Sequence, residues 1–169
     1  MSEVYKAPWA ISLIAITVVV SAILLLIILI GLLTGPRSDF AWILAMVIIP
    51  LLILLTSVVF SIRGYVIADN TLYVQRLGWN TKIDLHGLIA ADIDSQAMQK
   101  SFRKWGNGGL FSFSGKYYNR RLGNYEAYAT DPQKAIVLKF RDRTIIITPD
   151  RPEKFVAQIR ATQSPILKT

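Results

Sequence analysis

Two unbroken apolar runs decide the architecture: WAISLIAITVVVSAILLLIILIGLL (Trp9–Leu33) and FAWILAMVIIPLLILLTSVVFSI (Phe40–Ile62). Neither contains a charged residue. A bilayer core of ~30 Å is crossed by ~20 helical residues rising ~1.5 Å each, so either run is long enough to span. The link Thr34-Gly-Pro-Arg-Ser-Asp39 carries Gly35 and Pro36, which stop one helix and turn the chain. So short a link joins antiparallel neighbours. The expectation is a two-span helical hairpin over residues 1–62, with spans at about 9–33 and 40–62. A cleaved secretory signal fits poorly. The first run is longer than a signal's apolar core, and no small-x-small cleavage site follows it.

Aromatic residues mark the span ends. Trp9 opens the first, Phe40 and Trp42 open the second, and Phe60 and Tyr65 flank its end, as in the two interfacial belts. Pro50 cannot donate to the carbonyl of Met46, so a kink or local relaxation is expected there. Thr17 and Ser21 share one face of the first helix. No charge inside either run marks an ion or proton path, which excludes a channel or transporter built from this hairpin alone. Lys6 and Arg63 lie on one side and Arg37 on the other. The positive-inside rule therefore places both termini and the rest of the chain in the cytoplasm, at the cell membrane.

The net charge is +8, and the hairpin contributes none of it: Glu3, Lys6, Arg37 and Asp39 cancel. A basic domain tethered to a bilayer calls for an anionic partner, and the tether favours lipid over nucleic acid. The chain has no cysteine and one histidine, which excludes a disulfide scaffold, a thiolate or multi-histidine metal site and a cysteine nucleophile.

From Arg63 the pattern turns to short alternating runs. Gly64–Ala68, Thr71–Leu77 and Thr81–Leu85 read as a meander broken at Asp69-Asn70 and Gly78-Trp-Asn80, with Leu88–Ile93 a fourth strand. Tyr125–Thr130, Ala135–Phe140 and Thr144–Thr148 resume it. Asp150-x-x-Glu153 has capping-box spacing. Pro152, Phe155, Val156 and Ile159 share one face, so an amphipathic helix is expected over about 151–162. Residues 63–169 thus make an α+β domain.

Between the two β-rich halves lies a glycine-rich loop, Lys100–Arg121, with basic and aromatic residues and no Asp or Glu. Each Lys or Arg near an anionic leaflet contributes ~1 kcal/mol, and Trp settles at headgroup level. The candidate anionic-lipid contact is therefore Lys100, Arg103, Lys104, Trp105, Lys116, Arg120 and Arg121. The competing reading is that Phe111 and Phe113 are core and the glycines serve only turns and bulges. Gly106-Asn-Gly-Gly109 lacks the Lys-Ser/Thr of a phosphate-binding loop. His86 beside Gly87 reads as a turn residue, and Asp92 and Asp94 as a solvated face rather than a cation site. No catalytic, cofactor or metal site is expected.

Tyr65-Val-Ile-Ala-Asp-Asn-Thr-Leu72 after two spans, the stretch Gly106–Thr130 with its GGLF, LGNY and ATD elements, and Ile147-Thr-Pro-Asp-Arg-Pro-Glu-Lys-Phe155 resemble the bacterial pleckstrin-homology (PH)-like domain family. The resemblance covers about residues 63–160. It implies a strongly bent antiparallel sheet or barrel of seven strands, capped by the C-terminal helix, with Gly109–Tyr118 supplying one strand. It implies no reaction. The expected function is a membrane-anchored, non-catalytic PH-like module that contacts anionic membrane or mediates assembly with a second copy or a membrane-protein partner. The alternatives are a scaffold or subunit of a larger membrane complex without headgroup binding and, remotely, a small membrane enzyme.

Overall fold

The computed structural model describes residues 3–36 and 38–163; Arg37, used above for orientation, lies outside them. The first apolar run forms helix α1 (Ile11–Thr34). The second forms a short helix α2 (Phe40–Ile43), a π-helical turn (Leu44–Ile48) and helix α3 (Ile49–Val59). The wide turn falls just before Pro50, whose missing N–H leaves the helix a bond short, and relaxes the backbone there. Asp39 caps the start of α2 by accepting from the backbone N–H of Ala41 at 3.0 Å.

The two helical segments touch through small residues and one indole. A Cβ on Gly31 would lie 2.6 Å from that of Met46, so glycine is what lets the backbones approach. Trp42 Nε1 donates to the carbonyl of Gly31 at 3.1 Å. Trp42 therefore bridges the hairpin. Both segments are long and apolar enough to cross a membrane, and only 11% and 6% of their most apolar windows are buried within the chain. The core helix of a water-soluble domain buries its apolar face; these leave theirs unpartnered. The second run was expected to stay helical to Ile62. Instead the helix stops at Val59, and Ile62 is buried in the first long strand.

Among the described residues ten strands form two sheets. The first is antiparallel in the order β1 (Val4–Lys6), β2 (Ile62–Ala68), β3 (Thr71–Arg76), β4 (Asn80–Asp84). Strand β1 comes from the polar lead before α1, so chain from both sides of the hairpin meets in one sheet. The second sheet comprises β5 (Leu88–Ile93), β6 (Phe102–Gly108), β7 (Phe113–Asn119), β8 (Gly123–Ala129), β9 (Ile136–Phe140) and β10 (Thr144–Ile147), in the order β5-β9-β10-β8-β7-β6. The sheets do not close into a barrel. They are not wholly antiparallel either: β10 folds back from β9 into the place beside β8 and runs parallel to it.

Helix α4 (Pro152–Gln163) packs on the core. Phe155 and Ile159 are fully buried against Tyr65, Leu72 and Val74 of the first sheet and Leu138, Ile145 and Ile147 of the second. Alternating apolar residues thus put one face of each sheet inward, as the period of two requires. Tyr5 of β1 stacks edge-on to Phe155 at 4.8 Å. The expected capping box does not form. Asp150 Oδ1 has no hydrogen-bond partner, and Oδ2 turns to Arg151 at 3.5 Å.

Candidate functional site

Residues 100–121 were expected to be a loop with one strand in it. They are a two-stranded hairpin, β6–β7, with β6 as the free edge of the second sheet. Glycines make the pairing possible. Gly106 and Gly115 face each other at φ +105° and +130°, and a Cβ on either would lie 2.3 or 2.2 Å from a carbonyl oxygen of the other strand. Lys104 is a bulge between Arg103 and Trp105. On β7, Tyr117 is buried and stacks on Tyr125 at 5.8 Å. On β6, Phe102 and Trp105 are exposed.

The hairpin's turn docks on α1. Thr17 Oγ1 donates to the carbonyl of Gly109 at 3.2 Å and accepts from the N–H of Phe111 at 3.1 Å. Phe111 meets Trp9 edge-on at 5.9 Å. Asn107 closes the turn from within: its Oδ1 accepts from Leu110 N at 2.9 Å, and its amide donates to the Leu110 carbonyl. A buried hydroxyl in an otherwise apolar helix thus satisfies backbone groups of a loop that would otherwise be dry. The sequence pattern places Thr17 on a polar stripe and gives no sign of its partner.

The seven candidate residues do not form one patch. All are exposed, but they divide into three groups. Lys100, Arg120 and Arg121 lie at the end of the hairpin away from its turn, around a hollow of about 350 Å³. At ~3.3 Å per residue, the strands separate that end from the Thr17 contact by ~20 Å. Arg121 is paired with Asp94 there, which removes Asp94 from any cation site shared with Asp92. Lys104 and Lys116 border a second hollow, and Lys104 Nζ donates to Asn124 Oδ1 at 2.7 Å. Arg103 and Trp105 line a third cleft, of about 550 Å³, whose opposite wall is α3 with Ile53, Thr56, Ser57 and Phe60.

A residue that the sequence reading passed over also lines this cleft. Arg76, at the end of β3, donates through Nε to Thr81 Oγ1 at 3.2 Å and through Nη1 to the carbonyl of Phe60, the C-cap of α3. A cation at a helix C-terminus complements the exposed carbonyls and the dipole. Its guanidinium lies 5.6 to 5.9 Å from the ring centres of Phe60, Trp79 and Tyr128. Desolvation lowers its pKa, and it makes no ion pair among the described residues. Its signal in the sequence was a lone arginine ending an alternating strand with aromatic residues close by. By contrast, His86 is a turn residue, with Nδ1 2.6 Å from Asp84.

Residues 63–163 match the family model described as Bacterial PH domain. The chain belongs to the bacterial PH-domain family. No curated protein and no solved structure matches it. The matched region of this PH-like protein runs from β2 to α4 and includes Arg76 and the hairpin. Strand β1 and the two apolar helical segments lie outside it. PH-like domains are in general non-catalytic modules. The family therefore supplies a fold and a class of role, and the ligand has to be argued from this chain's own surface.

Proposed function

We propose that this PH-like protein is a two-span, non-catalytic binding module of the cell membrane whose β6–β7 hairpin contacts anionic lipid at the cytoplasmic face. The observation that carries the reading is the clamp between Thr17 and the hairpin turn. Thr17 lies ~9 Å along α1 from its first residue, so the clamp holds the turn beside the N-terminal part of that helix, which supports a position near the membrane surface. The basic strands that leave the turn start from the membrane surface. Arg103, Lys104, Trp105 and Lys116 are the contacts; Lys100, Arg120 and Arg121 sit at the remote end.

A second reading, assembly with another copy or a membrane-protein partner, is favoured by the free edge of β6 with Phe102 and Trp105 exposed on it. The same edge argues against it, because a bulge and flanking cations are devices that block strand addition. The test uses the full chain in nanodiscs with and without anionic lipid. Quenching of Trp105 by brominated lipid is read as the difference from Trp105→Phe. Quenching that rises with anionic lipid, falls with salt, and weakens about fivefold for each of Lys104→Gln and Lys116→Gln is expected. Quenching indifferent to lipid charge, salt and both substitutions would sink the proposal. More than one chain per disc, with that indifference, favours assembly.

A further inference from the structure

The cleft between α3 and the hairpin has a gradient along it. Phe60 and Arg76 stand where α3 ends and the chain passes into β2; Ile53 stands seven residues back on the same helix. At ~1.5 Å per residue that is ~10 Å deeper. Two guanidinium groups line it, Arg76 beside Phe60 and Arg103 held on the Gly106 carbonyl of the hairpin, and among the described residues no Asp or Glu lines any part of the cleft. The deep end is walled by Ile53 of α3. A volume of about 550 Å³ lies in the ~300–1,000 Å³ range of small-molecule sites.

We propose that this cleft holds one anionic phospholipid, its phosphate facing Arg103 and Arg76 and its acyl chains running along α3 into the bilayer. The proposal rests on the reading of α3 as a membrane span. Charge complementarity selects the head. A guanidinium carries five N–H donors. The bonds of Arg76 to Thr81 and Phe60, and of Arg103 Nη1 to the Gly106 carbonyl at 2.9 Å, leave donors on both side chains. Those internal bonds also hold the two groups in place before the lipid arrives, which lowers the ordering cost of binding. The apolar deep end selects an amphiphile over a free anion: an inorganic phosphate fills only the shallow part. Trp105 borders the mouth, at the headgroup level where indoles settle.

The experiment is native mass spectrometry of the full chain, delipidated in detergent and titrated with phosphatidylglycerol or phosphatidylcholine. One phosphatidylglycerol per chain is expected, with phosphatidylcholine bound at least about fivefold more weakly. Arg103→Gln should weaken retention about fivefold by removing one cation. Ser57→Trp, which fills the cleft from the α3 side and leaves both arginines in the sequence, should abolish it. Lys139→Gln, exposed on β9 and outside the cleft, should leave it unchanged. Equal retention of both lipids, or retention unaffected by Ser57→Trp and Arg103→Gln, would overturn the site. Displacement of the lipid by inorganic phosphate alone would also overturn it, in favour of a simple anion site. The two proposals fail separately. Loss of charge dependence in the Trp105 quenching with one lipid still retained breaks only the surface contact. Charge-dependent quenching with no retained lipid breaks only the cleft.

Discussion

Tyr65 and Trp105 are large aromatic residues on strands of the same small domain, yet the first is fully buried and the second is 78% exposed. Tyr65, on β2, sits under α4 and donates its hydroxyl to the carbonyl of Tyr128 at 2.6 Å, while Thr148 N donates to it at 3.3 Å. Trp105 is on the edge strand β6, with a bulge beside it and an open cleft under it. The difference divides the domain. Strands β2, β3, β9 and β10 with α4 close a core, and their aromatic and branched residues supply stability. The β6–β7 hairpin is attached at its turn and along β8, with Tyr117 packed in a smaller cluster, and the large side chains of its outer strand, Phe102 and Trp105, are available to something else.

If that division is correct, the largest effect comes from the closed side. Phe155→Ala removes a fully buried ring that touches both Tyr5 and Tyr65. A loss of about 3–5 kcal/mol in unfolding free energy is expected, measured by denaturant unfolding of the full chain in detergent. A loss under about 1 kcal/mol would mean that α4 is not part of the core.

Next comes the device that builds the open side. Gly115→Val puts a branched side chain at φ +130°, where even a Cβ would meet the Trp105 carbonyl at 2.2 Å. The expected cost is about 2–3 kcal/mol, confined to the hairpin. Hydrogen exchange should quicken in β6 and β7 while β2 and β3 stay protected. Uniform quickening would make the two regions one cooperative unit.

Tyr65 gives the closed side a pH signature. Burial pushes its pKa from the ordinary 10.0 up to about 12. The folded state therefore keeps a proton that the unfolded state loses between these values. The stability this supplies is intact below pH 10 and is lost as the pH rises towards 12, at about 1.4 kcal/mol per pH unit. Tyr117 on β7 is also pushed up to about 12, so Tyr65→Phe should reduce the alkaline slope without abolishing it. Unfolding midpoints at pH 9, 10 and 11 for both chains check this; identical slopes would place the Tyr65 hydroxyl in water.

A smaller effect is expected where the hairpin turn meets α1. Thr17→Val keeps the shape of the side chain and removes both bonds to the hairpin turn. About 1–2 kcal/mol of docking is expected to go, since the carbonyl of Gly109 and the N–H of Phe111 lose their partner. Faster exchange at residues 109–112 with unchanged global unfolding is the result that fits.

The same division explains what was legible in the sequence. Strands β2 to β5 and β8 to β10 and helix α4 announce themselves because burial on one face writes a period of two or 3.6 into the chain. The two apolar runs are legible by length and unbroken hydropathy alone. Strand β6 is nearly invisible. An edge strand exposed along most of its length carries no hydrophobic alternation, and glycines at positions 106 and 115 look like loop when they are there for close approach between strands. Strand β1 has three residues and pairs across the whole hairpin, so no local pattern could reveal it. The candidate residues were found by charge and type. Sequence proximity then made them look like one patch, while the antiparallel register carries Lys100, Arg120 and Arg121 to one end and Arg103 and Trp105 to the cleft. Arg76 was missed because its partners, the rings of Phe60, Trp79 and Tyr128, come together only in the fold.

The smallest expected effect is the most direct test of the comparison. Trp105→Ala deletes a larger side chain than any in the core, but most of its surface is already in contact with solvent, so little burial is lost. In detergent the unfolding free energy should move by less than about 0.5 kcal/mol. A shift above about 1 kcal/mol would mean that the indole packs across the cleft onto α3, and the open side would be a second core. In nanodiscs with anionic lipid the outcome should differ. On the proposed reading the ring would rest there at the headgroup level, and its removal would take away a contact that detergent does not supply. A destabilisation that appears with anionic lipid and is absent in detergent would show that the exposed ring belongs to the membrane surface, as the buried Tyr65 belongs to the core.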